Sequence, residues 1–423
     1  MYHQALGRII TFLVFLHAAF YLNFYVESNI LGNKLKEPYV LCGIAGTIAF
    51  AAIGTTALSP VRRWNYRIFY TVHVILSTAL PLVLFFHVPH MRIYLYETAA
   101  VYILNRLTRS LSVSDPLATV RSIPNTSLVE ISIPCDVGDP AQRPYTKYRP
   151  GQHAYVSIPK TPVSRPFHSN PLTAFSIPGT DGHLKFVARA LNGSTRKLAM
   201  LAEKSPAGIQ VRLHIEGPRG LSNLEDKLLQ YDRVLFVAGG VGATFILPLY
   251  RQLLSDLSPG IGSYRRQKVN FVWIARSASE VTWAVPTTDQ REKEGFVERL
   301  KICITGGASA AATAEDEIDA AAAAIDGNDG IELEEQKQLL ADDDVVVVPT
   351  AAARSSSKDL PIYAGRPDLR RLVHQALSHG NNNERVAVIT CGPKSLSQSL
   401  RREIAPWVKR GRDVWFHDES FSL

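Results

Sequence analysis

Cysteine is scarce. Cys42, Cys135, Cys303 and Cys391 stand far apart, and no CxxC pair occurs. That spacing supports neither a zinc ribbon nor a disulfide framework. Clustered basic charge is missing too. The formal charge is +8, but its Lys and Arg are dispersed and no aromatic-basic stripe runs among them. Nucleic acid is therefore not expected as a partner. No small-residue cleavage site follows the first apolar stretch, and three more apolar segments come after it. A removed secretory leader is thus a poor description of the N-terminus. A GxGxxG fingerprint is also absent.

What is present is concentrated at the start. The hydrophobic fraction of 46% is ordinary for the whole chain because apolar residues crowd into its first hundred positions. Ile9 to Val26, Tyr39 to Leu58 and Ile68 to Val88 are each long enough to span a bilayer. Pro81 interrupts the third, which a membrane helix tolerates. A shorter stretch, Ile93 to Leu107, carries Glu97 and is a weaker candidate.

Four histidines organise these segments. Thirteen residues separate His3 from His17, and thirteen separate His73 from His87. Fourteen steps of roughly 100° return a helix almost to its starting direction, so each pair lies on one face. At about 1.5 Å per residue the two levels stand about 21 Å apart, most of a hydrocarbon core about 30 Å thick. One such histidine is usually interfacial or hydrogen-bonded. Two identical spacings match what a pair of stacked bis-histidine haems requires, and ionisable groups at such depth are functional by default. If the second helix returns the chain, helices one and three run parallel. His3 then faces His73, and His17 faces His87. Arg62, Arg63 and Arg67 precede helix three, and Arg106, Arg109 and Arg121 follow the fourth stretch. The positive-inside rule makes these ends, and the remainder of the chain, cytosolic.

With 423 residues, two to three domains are expected. The boundaries read 1–110 for the membrane helices, 111–225 for a β-rich region and 226–423 for an α/β region. In the second region Leu128 to Ile133, Ala154 to Ile158, Leu184 to Ala190 and Gln210 to Ile215 are strand-like, with Pro and Gly between them. An antiparallel barrel follows. Asn192-Gly193-Ser194-Thr195 leads into a helix, whose free N–H groups and positive dipole end suit a pyrophosphate. Any capped helix looks similar. Tyr148 to His153 and Asn170 to Ile177 also stand out, and Ile215 to Gly220 reads as a closing tight turn.

In the third region Arg233 to Ala238 is a buried-strand run, followed by Gly239-Gly240-Val241-Gly242-Ala243-Thr244 and an apolar helix from Phe245 to Leu257. Strand, glycine turn and helix form a phosphate cradle. A second strand, Val269 to Ala275, ends at Arg276. An arginine there, without a neighbouring acid, favours NADPH over NADH, although a plain surface arginine reads the same way. Residues 306–357 are Ala-rich, then acidic, and read as a low-complexity insert. Arg385 to Thr390 is a last strand, and Cys391-Gly392-Pro393 follows where open α/β sheets bind ligands.

Apart from that insert, the whole chain resembles the fungal ferric-chelate reductases, relatives of the NADPH oxidases. The paired histidines, the flavin segments, Gly239 to Thr244, Cys391-Gly392-Pro393 and the Glu419-Ser420-Phe421 ending carry the likeness. The resemblance implies a multidomain protein: an α-helical membrane bundle, a ferredoxin-reductase-like antiparallel β-barrel for FAD and an α/β domain for NADPH. His3, His17, His73 and His87 would be axial ligands of two haems b. Pro171, Leu172, Thr173, Gly193, Ser194 and Thr195 would hold FAD. Gly239, Gly240, Gly242, Thr244, Arg276, Cys391 and Gly392 would hold NADPH. No catalytic acid, base or nucleophile is implied, because the cofactors carry the chemistry. Electrons would cross the plasma membrane from cytosolic NADPH to ferric or cupric chelates or siderophores, in iron uptake. A superoxide-generating NADPH oxidase and a non-catalytic membrane protein remain open alternatives. Three departures from the family stand out. Asn170 replaces a histidine before Pro171. The last residue is Leu423, so the ring covering the flavin would be Phe421. The family has about six membrane helices, so a truncated N-terminus lacking roughly two of them is expected.

Overall fold

The computed structural model describes residues 2–135, 143–158, 169–176, 181–191, 193–205, 207–220, 223–257, 268–284, 299–306, 361–378 and 383–419. Phe421, Leu423, Asn192 and, beyond Gly306, the insert expected at 306–357 lie outside these residues. The chain divides into one compact unit over Met1–Thr108 and a second beginning at Arg109.

Helices make the first unit: α1 (Tyr2–Glu27), α2 (Pro38–Thr56), α3 (Tyr66–His87) and α4 (Arg92–Ser110), whose last two residues already belong to the second unit. Pro38 opens α2 at a position where its missing N–H costs nothing. Asn65 caps α3 by accepting from the Ile68 N–H at 3.0 Å. Tyr2–Glu27, Pro38–Thr56 and Ile68–His87 are long and apolar enough to cross a membrane. Their large apolar side chains face outward, among them Phe12, Phe20, Ile48 and Leu82. A water-soluble unit would bury those groups; lipid solvates them. The fourth stretch is helical, but Arg92, Glu97, Arg106 and Arg109 keep α4 more polar than the other three. Small residues let α2 approach its neighbours. A side chain at Gly46 would meet Leu84 and Leu80 of α3, and one at Gly54 would meet Thr11 of α1.

Among the described residues, eight strands open the second unit: β1 (Val113–Ser114), β2 (Leu117–Ser122), β3 (Leu128–Pro134), β4 (His153–Ser157), β5 (Asn170–Thr173), β6 (His183–Arg189), β7 (Ile209–Arg212) and β8 (His214–Arg219). They form two antiparallel sheets, β1-β8-β4-β5 and β6-β3-β2-β7. Alternating inward residues such as Val120, Ile131, Val156, Phe186 and Ile215 fill the space between them. Two sequence expectations are corrected. Gln210 to Ile215 is not one strand. The chain changes sheets at Leu213, so β7 pairs with β2 and β8 with β4. Glu216 to Arg219 is not a turn but the end of β8. Gly217 and Pro218 sit where the pairing with β4 shifts register, between His153 and Tyr155. A bulge is where a strand accepts a residue without an N–H.

Among the described residues, six parallel strands follow: β9 (Arg233–Gly239), β10 (Val269–Ala275), β11 (Leu300–Ile304), β12 (Ile362–Ala364), β13 (Val386–Cys391) and β14 (Val414–Glu419). Their order is β12-β11-β10-β9-β13-β14. β9, β10 and β13 are almost wholly apolar and buried, as strands covered on both faces must be. Barrel residues Ile123, Leu128, Phe175 and Val187 belong to the same apolar cluster as Phe236, Phe245 and Trp273 of the α/β part. Barrel and α/β sheet therefore share a core within one unit.

Candidate functional site

Two places concentrate chemistry, one in each unit. In the first unit, the rings of His3 and His73 face each other edge-on with centroids 6.0 Å apart. His17 and His87 do the same at 6.4 Å. An iron held between two imidazole nitrogens at about 2 Å each sets the ring centres roughly 6 Å apart. Both separations fit that requirement. Among the described residues no group of three or more His, Cys, Asp or Glu side chains could hold a metal ion. His73 Nδ1 is buried without a hydrogen-bond partner. His87 Nδ1 lies 2.7 Å from the Tyr39 carbonyl oxygen. A carbonyl only accepts, so Nδ1 carries the proton and Nε2 is left with its lone pair.

In the second unit, parallel pairing brings the ends of β9, β10, β13 and β14 to one edge. Cys391 stands in register with Ala238 on one side and Glu419 on the other. β10, β11 and β12 extend to one side of β9, while β13 and β14 extend to the other. The switch point of the sheet thus lies between β9 and β13, where such sheets bind ligands. Gly239, Gly240 and Gly242 are at that point, and so are Cys391 and Gly392. A Cβ at Gly242 would overlap the Cys391 carbonyl, and one at Gly239 would come within 2.7 Å of Pro393. These two glycines let one turn close against the other. Gly240 is different: its φ is +54°, and the nearest atom to a Cβ there is Arg189 Nη2 at 3.6 Å. Thr244 is buried, and its hydroxyl donates to the Val241 carbonyl at 2.9 Å, which tightens the helix start. Burial, then the charges of Glu419 and Asp418, push the Cys391 thiol well above its ordinary pKa. It stays protonated and is no nucleophile.

Arg276 is exposed at the end of β10, and its backbone N–H donates to Glu280 Oε2 at 3.2 Å. The other carboxylate oxygen of Glu280 accepts from Arg189 Nη2 at 3.1 Å. An acid therefore stands beside Arg276, four residues along the chain, with its oxygens turned to Arg189 and to the backbone. Trp283 meets Phe175 and Trp273 edge-on, with centroids 4.8 and 5.4 Å away.

On the barrel side, Pro171, Leu172 and Thr173 lie in edge strand β5, opposite Tyr155, Ala154 and His153. Gly193, Ser194 and Thr195 open the helix Gly193–Ala202, with Gly193 at φ +64°. Several residues near the edge were absent from the expected set: Arg189, Glu280, Trp283, His153, His417 and Glu419. His153 was visible in the Tyr148 to His153 motif. Its pKa is lowered, chiefly by burial; Glu419 opposes and Arg219 adds to the effect. His417 stacks on Phe245 with centroids 6.0 Å apart. Its Nε2 is 3.3 Å from a Glu419 oxygen, without hydrogen-bond geometry. Glu419 stood in the Glu419-Ser420-Phe421 ending, and no local pattern announces Arg189, Glu280, Trp283 or His417.

Comparison with known proteins adds three matches in chain order. Residues 1–100 match the ferric reductase like transmembrane component family, 116–223 an FAD-binding domain and 231–405 the ferric reductase NAD binding domain. A probable metalloreductase AIM14 of Meyerozyma guilliermondii is 22% identical over 93% of this chain and 71% of its own length. Ferric reductase transmembrane component 4 of Saccharomyces cerevisiae is 25% identical over 57% of this chain and 33% of its own. The probable cell surface ferric reductase kap2 of Aspergillus oryzae is 26% identical over 71% and 40%. This chain thus spans well under half the length of the latter two relatives.

Proposed function

Because successive stretches of the chain match a ferric reductase like transmembrane component, an FAD-binding domain and a ferric reductase NAD binding domain, we propose a transmembrane metalloreductase. It would pass electrons from cytosolic NADPH across the plasma membrane to ferric or cupric chelates. The observation that supports this most is the pair of histidine levels, at 6.0 and 6.4 Å, in an apolar helical unit. When bound, a nicotinamide supplies two electrons as hydride, a flavin accepts two and releases them singly, and haem irons relay one at a time.

The residues of the chain orient and insulate. Gly239, Gly240 and Gly242 would let the nucleotide phosphates approach the start of the helix Ala243–Asp256, where its dipole favours anions. Arg276, exposed at the end of the second strand, would meet a 2′-phosphate. Pro171, Leu172 and Thr173 would lie along the flavin, and Gly193 to Thr195 would receive its pyrophosphate. His3 with His73, and His17 with His87, would each hold one haem between them. The acceptor would be met at the end of the helices near His17 and His87. Arg62, Arg106 and Arg109 favour the cytosolic placement of their ends.

The test is the absorption spectrum of the purified full chain, followed by NADPH-driven reduction of a ferric chelate with superoxide dismutase present. A low-spin bis-histidine spectrum and reduction indifferent to the dismutase are expected. A spectrum without haem sinks the transmembrane relay. Suppression by the dismutase makes oxygen the acceptor.

A further inference from the structure

The two histidine levels are built differently, and the difference lies in α2. A Cβ placed on Gly43 would stand 2.5 Å from His87 Cε1, 2.9 Å from Nδ1 and 3.3 Å from Nε2. Real Cβ contacts do not come that close, so the imidazole occupies the space that any other residue would take. One turn earlier in the same helix, the Tyr39 carbonyl accepts from Nδ1–H at 2.7 Å. Helix α2 thus offers a notch and an acceptor to one ring. The acceptor fixes the tautomer, and the notch fixes the ring's depth. His73 has neither: its Nδ1 is buried without a partner.

We infer that Gly43 is a positioning residue for His87. Its missing side chain seats the imidazole against the Tyr39 carbonyl, so that Nε2 points to the iron shared with His17. This rests on the haem reading above. An imidazole whose Nδ1–H is held by a carbonyl is both oriented and more basic toward its metal, and such supports matter nearly as much as the ligand itself. The proposal is specific to this one level. It also differs from ordinary close packing of helices through glycine. Gly46, three residues on in the same helix, has its nearest potential contacts at 3.7 and 3.9 Å, from Leu84 and Leu80. Alanine fits there.

The experiment compares Gly43→Ala with Gly46→Ala in the full chain. It reads haem per polypeptide and the low-spin spectrum of the membrane-inserted protein. Wild type and Gly46→Ala should each hold two haems, and Gly43→Ala one, with the same remaining signal as His87→Ala. Two haems with an unaltered spectrum in Gly43→Ala overturn the inference. A wild type without haem overturns the haem reading, and the inference with it. If Gly43→Ala fails to accumulate, the Gly43→Ala/His87→Ala double variant decides. Removing the ring empties the space the new methyl needs. The double variant should therefore accumulate and hold one haem, as His87→Ala does, and its failure overturns the inference.

Discussion

Arg189, the last residue of β6, donates to Glu280 across the boundary between the barrel and the α/β sheet, Nη2 to Oε1 at 3.1 Å. Both side chains are largely buried. The same carboxylate holds the Arg276 backbone N–H. One acid thus ties the barrel to the loop that carries Arg276. Glu280→Ala should lower the stability of the second unit by about 3 kcal/mol, because it strands a buried guanidinium. Chemical denaturation measures it. A double-mutant cycle with Arg189→Ala should show strong coupling rather than additivity.

Arg276 itself should set coenzyme preference. Arg276→Ala is expected to raise KM for NADPH roughly tenfold or more while leaving NADH nearly unchanged, as loss of one charge-assisted contact would. Equal effects on both nucleotides would make it a plain surface arginine.

The glycine turn yields a contrast. Gly242→Ala drives a methyl into the Cys391 carbonyl and should cost about 1–3 kcal/mol, with loss of nucleotide binding. Gly240→Ala meets open space but keeps a φ of +54°, so about 1 kcal/mol of backbone strain is expected. Thermal unfolding with and without NADPH separates stability from binding.

Acid should loosen the barrel through Glu216. Burial alone would raise its pKa. The hydrogen bonds and charges of Arg109, at 2.6 and 3.0 Å, and then of Arg219, win and hold it below the ordinary 4.5. A carboxylate with a depressed folded-state pKa contributes stability that is present above its unfolded pKa. That contribution is lost as pH falls through the folded value. Arg109→Ala should therefore be less stable than wild type at neutral pH. The two unfolding curves should converge as pH falls below about 4.5.

Much of this architecture was legible in the chain. The matched histidine spacing survives because a helix is periodic, so residues fourteen apart share a face whatever surrounds them. β10 is the Val269–Ala275 run itself, since a strand buried on both faces must be apolar throughout. What escaped was set by distant partners. β5 was read as a motif because Pro171 hides an edge strand, and the pairing with β4 that creates it lies outside the segment. Gln210 to Ile215 alternates smoothly through Leu213, so nothing local marks the change of sheet. The Arg189–Glu280 and Arg251–Asp181 pairs join residues far apart in sequence, and charge patterns carry no such address.

The apolar cluster common to Ile123, Leu128, Phe175 and Val187 of the barrel and Phe245 and Trp273 beside the glycine turn has a mechanical consequence. Swinging the two halves apart would expose that cluster to water, which the hydrophobic effect opposes. A shared apolar core of this kind opposes relative motion of the two halves. Whatever is held on the barrel would thus keep a nearly constant distance from whatever is held at the glycine turn.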